Sequence, residues 1–299
     1  MIRKIDESMK NRYFSMQVMD RDVTDTQRKQ YCDTLFKNHT GKSHENDHGE
    51  NDAMIMVDEK ELVLHHKHLS VSYLHHGVHD SVEAMETLVE AIVEESAQKH
   101  LLTLVQSNDV ELFESLGFET VVDMYRYNMN SSIVPEFGVD GIVLDPKSDE
   151  LLSAYQNFSK HFDGYFERDI QYYDEMKQYL KSMGGSIVGL TANGKLVGYL
   201  LFINYKTSIE VLECCYDKSG TLLKLLSFAS RGKARIVMYC SVFEKIEKIL
   251  PESRREKVPF ILAKVNDQEL FERLFHIKII SAYSAFNAFG KAIWNRDFY

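Results

Sequence analysis

Four cysteines in 299 residues, none in a CxxC pair, give no disulfide or zinc framework to read. Cys32, Cys214, Cys215 and Cys240 are expected to be reduced core thiols, two of them adjacent in a strand-like run. The chain also lacks a long apolar run. Its longest, LVGYLLFI from Leu196 to Ile203, falls far short of the ~20 residues needed to span a bilayer. The N-terminal MIRKIDESMK has no apolar signal core. These absences predict a cytoplasmic protein with no membrane partner. Positive charge is scarce as well: the formal net charge is -10, so the chain as a whole gives a nucleic acid no electrostatic support. A cationic substrate would be attracted, whereas an anionic cofactor would need a local positive site.

What is present is ordinary globular material, 44% hydrophobic and 27% charged, long enough for about two domains. The segment Asn38 to Asp52 has no apolar residue and reads as a mobile loop. After it, Ala53–Val57, Glu61–His68 and Leu69–Leu74 read as strands, with Asp58–Lys60 turning the first hairpin. The next stretch places Val82, Met85, Leu88, Val89, Ile92 and Val93 on one helical face. Leu101–Val105 is a buried strand, Val110–Phe118 a short helix stopped by Gly117, and Val121–Met129 a strand.

The second half repeats this order. Two strands flank Asn193-Gly194, a strong hairpin signal. A third strand covers Ser208–Asp217, followed by a helix over Ser219–Ser230, a strand over Ala234–Cys240 and a short helix over Val242–Leu250. A helix between a strand and its parallel neighbour makes a βαβ unit, so the chain reads as two α/β domains of one architecture. Two helices with aromatic stripes, Leu151–Phe162 and Arg168–Met183, open the second domain. The tail is apolar to its end, which predicts that Phe298 and Tyr299 are docked.

VSYL, a helix, LLTLV and then ELFESLGF together resemble the core of the GNAT acetyltransferase superfamily, whose short helix reads aromatic-Tyr-x-x-x-Gly-Phe. The tandem arrangement, with RDIQYYDEMKQYL opening the second unit, VLECCYDKSGTLLKLLSF and VPFILAKVNDQELFERL, is similar to the enhanced intracellular survival (Eis) acetyltransferases. The resemblance implies an α/β fold, α+β in some schemes, of two tandem GNAT-like mixed-sheet domains plus a short C-terminal extension. The expected boundaries are 1–135, 136–255 and 256–299, the last a reduced sterol-carrier-like remnant.

The resemblance also implies an acetyl transfer from acetyl-CoA to a small amine or peptide amine, without a metal, in a possible homo-oligomer. The cofactor would lie along Tyr73, Leu74, His75, Ser81 and Val82, with its pyrophosphate at a helix N-terminus, where orphan N–H groups and the helix dipole favour an anion. The chain departs from the family's Arg-x-x-Gly-x-Gly/Ala turn: Val78, Ser81 and Glu83 occupy those three positions, and Asp80 adds a carboxylate. Phe113 stands where the family's tyrosine protonates the leaving thiolate; Tyr125 and Tyr127 lie on the next strand. The expected base is either the terminal carboxylate of Tyr299 or a groove histidine, His76. A second function class follows from the same departures: a GNAT-fold binding or scaffold protein without acetyl-CoA turnover. A third reading gathers His65, His66, His68, His75, His76 and His79 into a metal site.

Overall fold

The computed structural model describes residues 1–17 and 24–297. In chain order the elements begin β1 (Ile2–Lys4), α1 (Lys10–Met16), α2 (Asp25–Asn38), β2 (Gly41–Glu45), β3 (Asn51–Leu64), β4 (Lys67–His79), α3 (Val82–Ala97), β5 (Leu102–Val105) and α4 (Val110–Ser115). They continue β6 (Glu119–Asn130), β7 (Ile142–Leu144), α5 (Ser148–Ser159), β8 (Tyr165–Phe166), α6 (Ile170–Ser182), β9 (Gly185–Ala192), β10 (Lys195–Asn204), β11 (Ser208–Tyr216), α7 (Ser219–Ala229) and β12 (Arg235–Ser241). The last are β13 (Arg254–Val265), α8 (Gln268–Phe275) and α9 (Ala282–Asn287). Two compact units result, Met1–Val122 with Pro259–Lys291, and Asp123–Val258 with Ala292–Tyr299. The tail, expected as an extension over 256–299, is shared between them. Ile261, Leu262, Phe271 and Phe275 are core of the first unit, and Trp294 is buried in the second.

In the first unit, β1 to β4 form successive antiparallel pairs, β4 runs parallel to β5, and Leu262–Val265 pairs antiparallel with β5. The parallel step is made by α3. Ser81 caps it, its Oγ accepting from the Ala84 amide at 3.3 Å. Ala84, Met85, Leu88, Val89 and Ile92 then pack on Ile55, Leu74, Val105 and Phe113. Each such buried side chain contributes about 1.5–3 kcal/mol. The second unit repeats the step: β9, β10 and β11 are antiparallel, α7 crosses, and β11 runs parallel to β12.

Three expectations are corrected. The Asn38–Asp52 segment is not one loop: Gly41–Glu45 is a strand between β1 and β3, held by backbone pairing that needs no apolar side chain. Asp58–Lys60 is not a turn but the middle of the continuous β3. The hairpin instead turns at His65 and His66, with φ of 50° and 63°, the sign a two-residue hairpin turn requires at both central positions. Asn193 and Gly194 adopt the same pattern at 51° and 73°. The expected helix over Val242–Leu250 shrinks to a single 3-10 turn at Ile246–Lys248, begun by Lys245 at φ 51°. No helix among the described residues is long and apolar enough to cross a membrane.

Candidate active site

The site of the first unit begins where β4 and β5 part. Their parallel register runs from Ser72↔Thr103 to Leu74↔Val105, and the Gln106 amide donates to the Leu74 carbonyl at 2.9 Å. The Tyr73 hydroxyl, on β4, donates to Gln106 Oε1 at 3.2 Å. Immediately beyond, β4 bulges: Met56 pairs with His75 but Met54 pairs with Val78, so that His76 and Gly77 together stand opposite Ile55 alone, one residue in excess. His76 has φ 51°, in the left-handed region that is uncommon outside glycine and in which histidine, asparagine and aspartate are over-represented. The bulge is fastened to α1 by the Tyr13 hydroxyl, which donates to the His76 carbonyl at 2.8 Å.

Around the bulge a polar cluster converges. His75 is fully buried on β4, Asp58 comes from β3, and His39 is the residue that ends α2. Asp58 Oδ2 accepts from His39 Nδ1 at 2.5 Å and from His75 Nε2 at 3.0 Å. His75 Nδ1 is hydrogen-bonded to His76 Nδ1. Burial pushes the Asp58 carboxyl up, but the His39 and His75 hydrogen bonds outweigh it and hold the group well below the usual carboxylate range. Burial pushes His75 down to about 4, only partly offset by Asp58. It pushes His76 well below its ordinary value too, with the neighbouring imidazoles adding to the effect.

These shifts set the protons. At neutral pH Asp58 is a carboxylate and can only accept. His75 must therefore carry its proton on Nε2, which leaves Nδ1 as an acceptor. His76 must then donate from Nδ1, and its basic lone pair lies on Nε2. The chain Asp58, His75, His76 is thus a polarised series of hydrogen bonds, a carboxylate orienting one imidazole and that imidazole orienting the next.

One ligand atom each from His39, Asp58 and His75 lies within 4.8 Å of the other two, as a metal site would require, but the contacts as they stand are shorter than a coordination edge. Nitrogen and oxygen ligands of a tetrahedral metal at ~2.0 Å stand about 3.3 Å apart. The two Asp58 contacts, at 2.5 and 3.0 Å, are hydrogen-bond lengths. Of the clustered histidines of the sequence, His75 and His76 meet, whereas His65, His68 and His79 have partners elsewhere. His65 Nε2 donates to the Ala285 carbonyl at 2.7 Å, and its ring lies 4.5 Å from that of Phe289. His68 meets Glu61 at 2.9 Å, and His79 meets Asp109 at 3.7 Å.

The expected cofactor residues are placed as follows. Tyr73 and His75 carry the side-chain contacts just given. Leu74 is fully buried in the core and offers only backbone. Ser81 spends its side chain on the cap, and Val82 is 51% exposed at the start of α3. Asp80 is ion-paired with Arg12 from α1, which brings a guanidinium to the turn that lacks one of its own. Phe113 is core, packed edge-on against Phe118 with ring centroids 5.7 Å apart. A cavity of about 220 Å³ lies along the C-terminal half of α3, at the far end from Ser81, lined by Thr40, Asp58, Ser72, Glu95, Lys99 and His100. Tyr299 lies outside the described residues, as does Phe298; the tail is buried as far as Asp297. His39, Asp58 and Arg12 were not singled out by sequence. Only the polar run at 38–52, which contains His39, hinted at one of them; Asp58 read as a turn residue.

The second unit has its own buried polar cluster. Arg168 donates to Glu213 through Nη1 at 3.0 Å and Nη2 at 2.8 Å, a bidentate pair. The Tyr199 hydroxyl donates to Glu213 Oε1 at 2.6 Å, and the Tyr172 hydroxyl to Asp297 Oδ1 at 2.6 Å. The guanidinium lies 4.1 Å from the Tyr155 ring and 4.4 Å from that of Tyr172. Asp163 exchanges two backbone bonds with the tail: its amide donates to the Ala292 carbonyl at 2.9 Å and its carbonyl accepts from the Trp294 amide at 2.8 Å.

No protein-family model matches the chain, and no curated protein matches it. Solved structures do. A conserved Enterococcus faecalis V583 protein, described as a probable N-acyltransferase, is 13% identical with a TM-score of 0.72 over 91% of this chain and 74% of its own. A GCN5-related N-acetyltransferase from Anabaena variabilis ATCC 29413 is 10% identical, with a TM-score of 0.68 over 89% and 73%. Eis1 from Mycobacterium abscessus is 12% identical, with a TM-score of 0.63 over 90% and 75%. Such identities speak for the fold, and the fold of this chain is that of the GCN5-related N-acetyltransferases in its Eis-like form.

Proposed function

We propose that the chain is a GNAT-type N-acyltransferase that moves an acetyl group from acetyl-CoA to a small amine or peptide amine. The observation that carries this reading is the Asp58–His75–His76 relay at the bulge of β4, beside the parting of β4 and β5. An amine is protonated at neutral pH and must lose its proton to attack. His76 Nε2 accepts that proton, and Asp58, through His75, stabilises the imidazolium that forms. The negative charge of the chain suits a cationic acceptor. Tyr73 holds a hydroxyl proton at the parting of the strands, the position from which a leaving thiolate could be protonated once Phe113 is excluded.

The turn before α3 fits acetyl-CoA through its backbone. The first amides of a 16-residue helix favour a phosphate, and Arg12 offsets the charge of Asp80. Its side chains add nothing further, because Ser81 is committed to the cap and Glu83 is acidic. Acetyl-CoA, when bound, supplies the activated acetyl group.

Calorimetric titration with acetyl-CoA, followed by an acetyl-transfer assay on primary amines, tests the reading. Binding and turnover are expected in the wild type. His76→Gln should keep the affinity and lose about 100-fold or more in turnover. Absence of binding at millimolar acetyl-CoA would sink the enzyme. That result would favour the second reading, a non-catalytic binding protein, whose specific support is the fully apolar environment of Phe113 and the lack of glycine at Ser81 and Glu83.

A further inference from the structure

The second unit also has a point where parallel strands part. The register of β11 and β12 ends at Val211↔Met238. Beyond it, Cys214 on β11 and Cys240 on β12 bring their Sγ atoms to 3.9 Å, with 3% and no exposure respectively. Glu244, just after β12, places Oε1 at 4.0 Å from Cys214 Sγ. One ligand atom from each of the three lies within 4.8 Å of the other two.

The spacing decides what such a trio is built for. A disulfide needs the sulfurs at about 2.05 Å. Two thiolates on a tetrahedral zinc ion, each at about 2.3 Å, stand about 3.8 Å apart, and a thiolate and a carboxylate oxygen about 3.5 Å apart. The 3.9 Å between the sulfurs matches that edge, and the 4.0 Å from Cys214 Sγ to Glu244 Oε1 is about 0.5 Å longer than its own; without an ion both contacts are long thiol hydrogen bonds. The carboxylate is oriented from outside: the Ser241 amide donates to Oε2 at 2.7 Å and the Tyr216 hydroxyl to Oε1 at 3.1 Å. Such outer partners set the direction of a ligating group. Arg296, 3% exposed, interacts electrostatically with both Glu244 and Cys240. Its charge offsets the excess of two thiolates and a carboxylate over a divalent ion.

The geometry points to a binding site for a thiophilic divalent cation of the zinc class, held by Cys214, Cys240 and Glu244. Zinc accepts sulfur and oxygen together, whereas a monovalent copper ion selects the thiolates alone. Two S–H bonds give up their protons to solvent as two metal–sulfur bonds form; nothing is oxidised or reduced. Three protein ligands leave a fourth position for solvent. The site belongs to the second unit and does not depend on the acyltransferase reading.

Titration of the full chain with Co²⁺ reads it out. A thiolate-to-cobalt charge-transfer band should grow to about one equivalent per chain and collapse when Zn²⁺ is added. Cys214→Ser and Cys240→Ser should each remove the band, while Cys215→Ser, next in sequence but outside the trio, should keep it. Zn²⁺ should raise the melting temperature of the wild type and not that of Cys214→Ser. If a cysteine variant fails to fold by circular dichroism, Glu244→Gln carries the test, with cobalt affinity expected to fall about tenfold or more. A wild type without the band, a band retained in both cysteine variants, an unchanged affinity in Glu244→Gln, or a Cys214–Cys240 disulfide in the purified protein would overturn the proposal.

Discussion

Asp58 and Glu213 are both withdrawn from water, one in each unit, and the chain satisfies them in opposite ways. Glu213 is fully buried and faces a guanidinium that stays charged at any ordinary pH. Asp58 keeps 16% of its side chain exposed and faces imidazoles, which change charge readily. The first arrangement fixes a charge in place and ties down the tail. The second can pass a proton. One fold repeated along a chain therefore carries a structural ion pair in one copy and a titratable relay in the other, and the difference lies in the partner rather than in the carboxylate.

The largest effect expected from breaking this contrast is in the second unit. Arg168→Ala strands Glu213 among tyrosines with no route to solvent. Loss of one partner from such a pair costs about 3–5 kcal/mol. The urea midpoint, followed by circular dichroism, should fall accordingly. A change below about 1 kcal/mol would mean that the tyrosine hydroxyls alone can hold the carboxylate, and the contrast would lose its structural half.

The next effect belongs to the first unit and is a matter of pH. His75 in the fold takes up a proton near 4, against an ordinary 6.5 in the unfolded chain. Between those values the unfolded state binds more protons, so stability is full above about pH 6.5 and falls as pH drops toward 4. The shift corresponds to roughly 3 kcal/mol across that window. Glu244, pushed up to about 7 by burial, has the opposite slope in the same range. The quantity to measure is thus the difference between wild type and His75→Gln, in which the Glu244 contribution cancels. A flat difference between pH 4 and 6.5 would remove the relay's electrostatic basis.

How much of this was legible in the sequence follows from the range of each interaction. The βαβ order, the α3 face and the Asn193-Gly194 turn are local patterns, and they appear where periodicity and turn chemistry place them. The His65-His66 turn was missed because histidine takes a positive φ less often than asparagine or glycine, so the pair carries no turn signal. The same misplacement broke β3 at Asp58 and hid the carboxylate as a turn residue. His39 and Asp58 lie 19 residues apart, and only the pairing of β3 with β4 brings them to His75. Cys214 and Cys240, 26 apart, meet for the same reason in the second unit. Sequence spacing is blind to contacts that sheet register makes. What it does show is absence: Phe113 lacks the hydroxyl and the turn lacks glycine at Ser81 and Glu83 wherever the fold puts them.

A smaller effect sharpens the proton-passing half of the comparison. Asp58→Asn removes the acceptor-only character that fixes the tautomers of His75 and His76. Turnover should fall about 10- to 100-fold, equivalent to roughly 1.4–2.7 kcal/mol in the barrier, with acetyl-CoA affinity unchanged. The pH–rate profile should change with it, because the group that stabilises the imidazolium of His76 is gone. A uniform loss with an unaltered profile would reduce Asp58 to a packing role.

The smallest effect tests which group is the base. Two candidates follow from the sequence, His76 and the terminal carboxylate of Tyr299. In the proposed mechanism the base is His76, oriented by His75 and Asp58, and no second base is required. The tail as far as Asp297 is held by the Arg168–Glu213 cluster, by Trp294 and by Asn295, which donates to the Gly164 carbonyl at 2.9 Å. Removing Phe298 and Tyr299 leaves all of those contacts in place. Turnover of the shortened chain should stay within about twofold of wild type, below 0.5 kcal/mol in the barrier. A loss of about 100-fold would transfer the base to the terminus and leave the relay as a support for β4 alone.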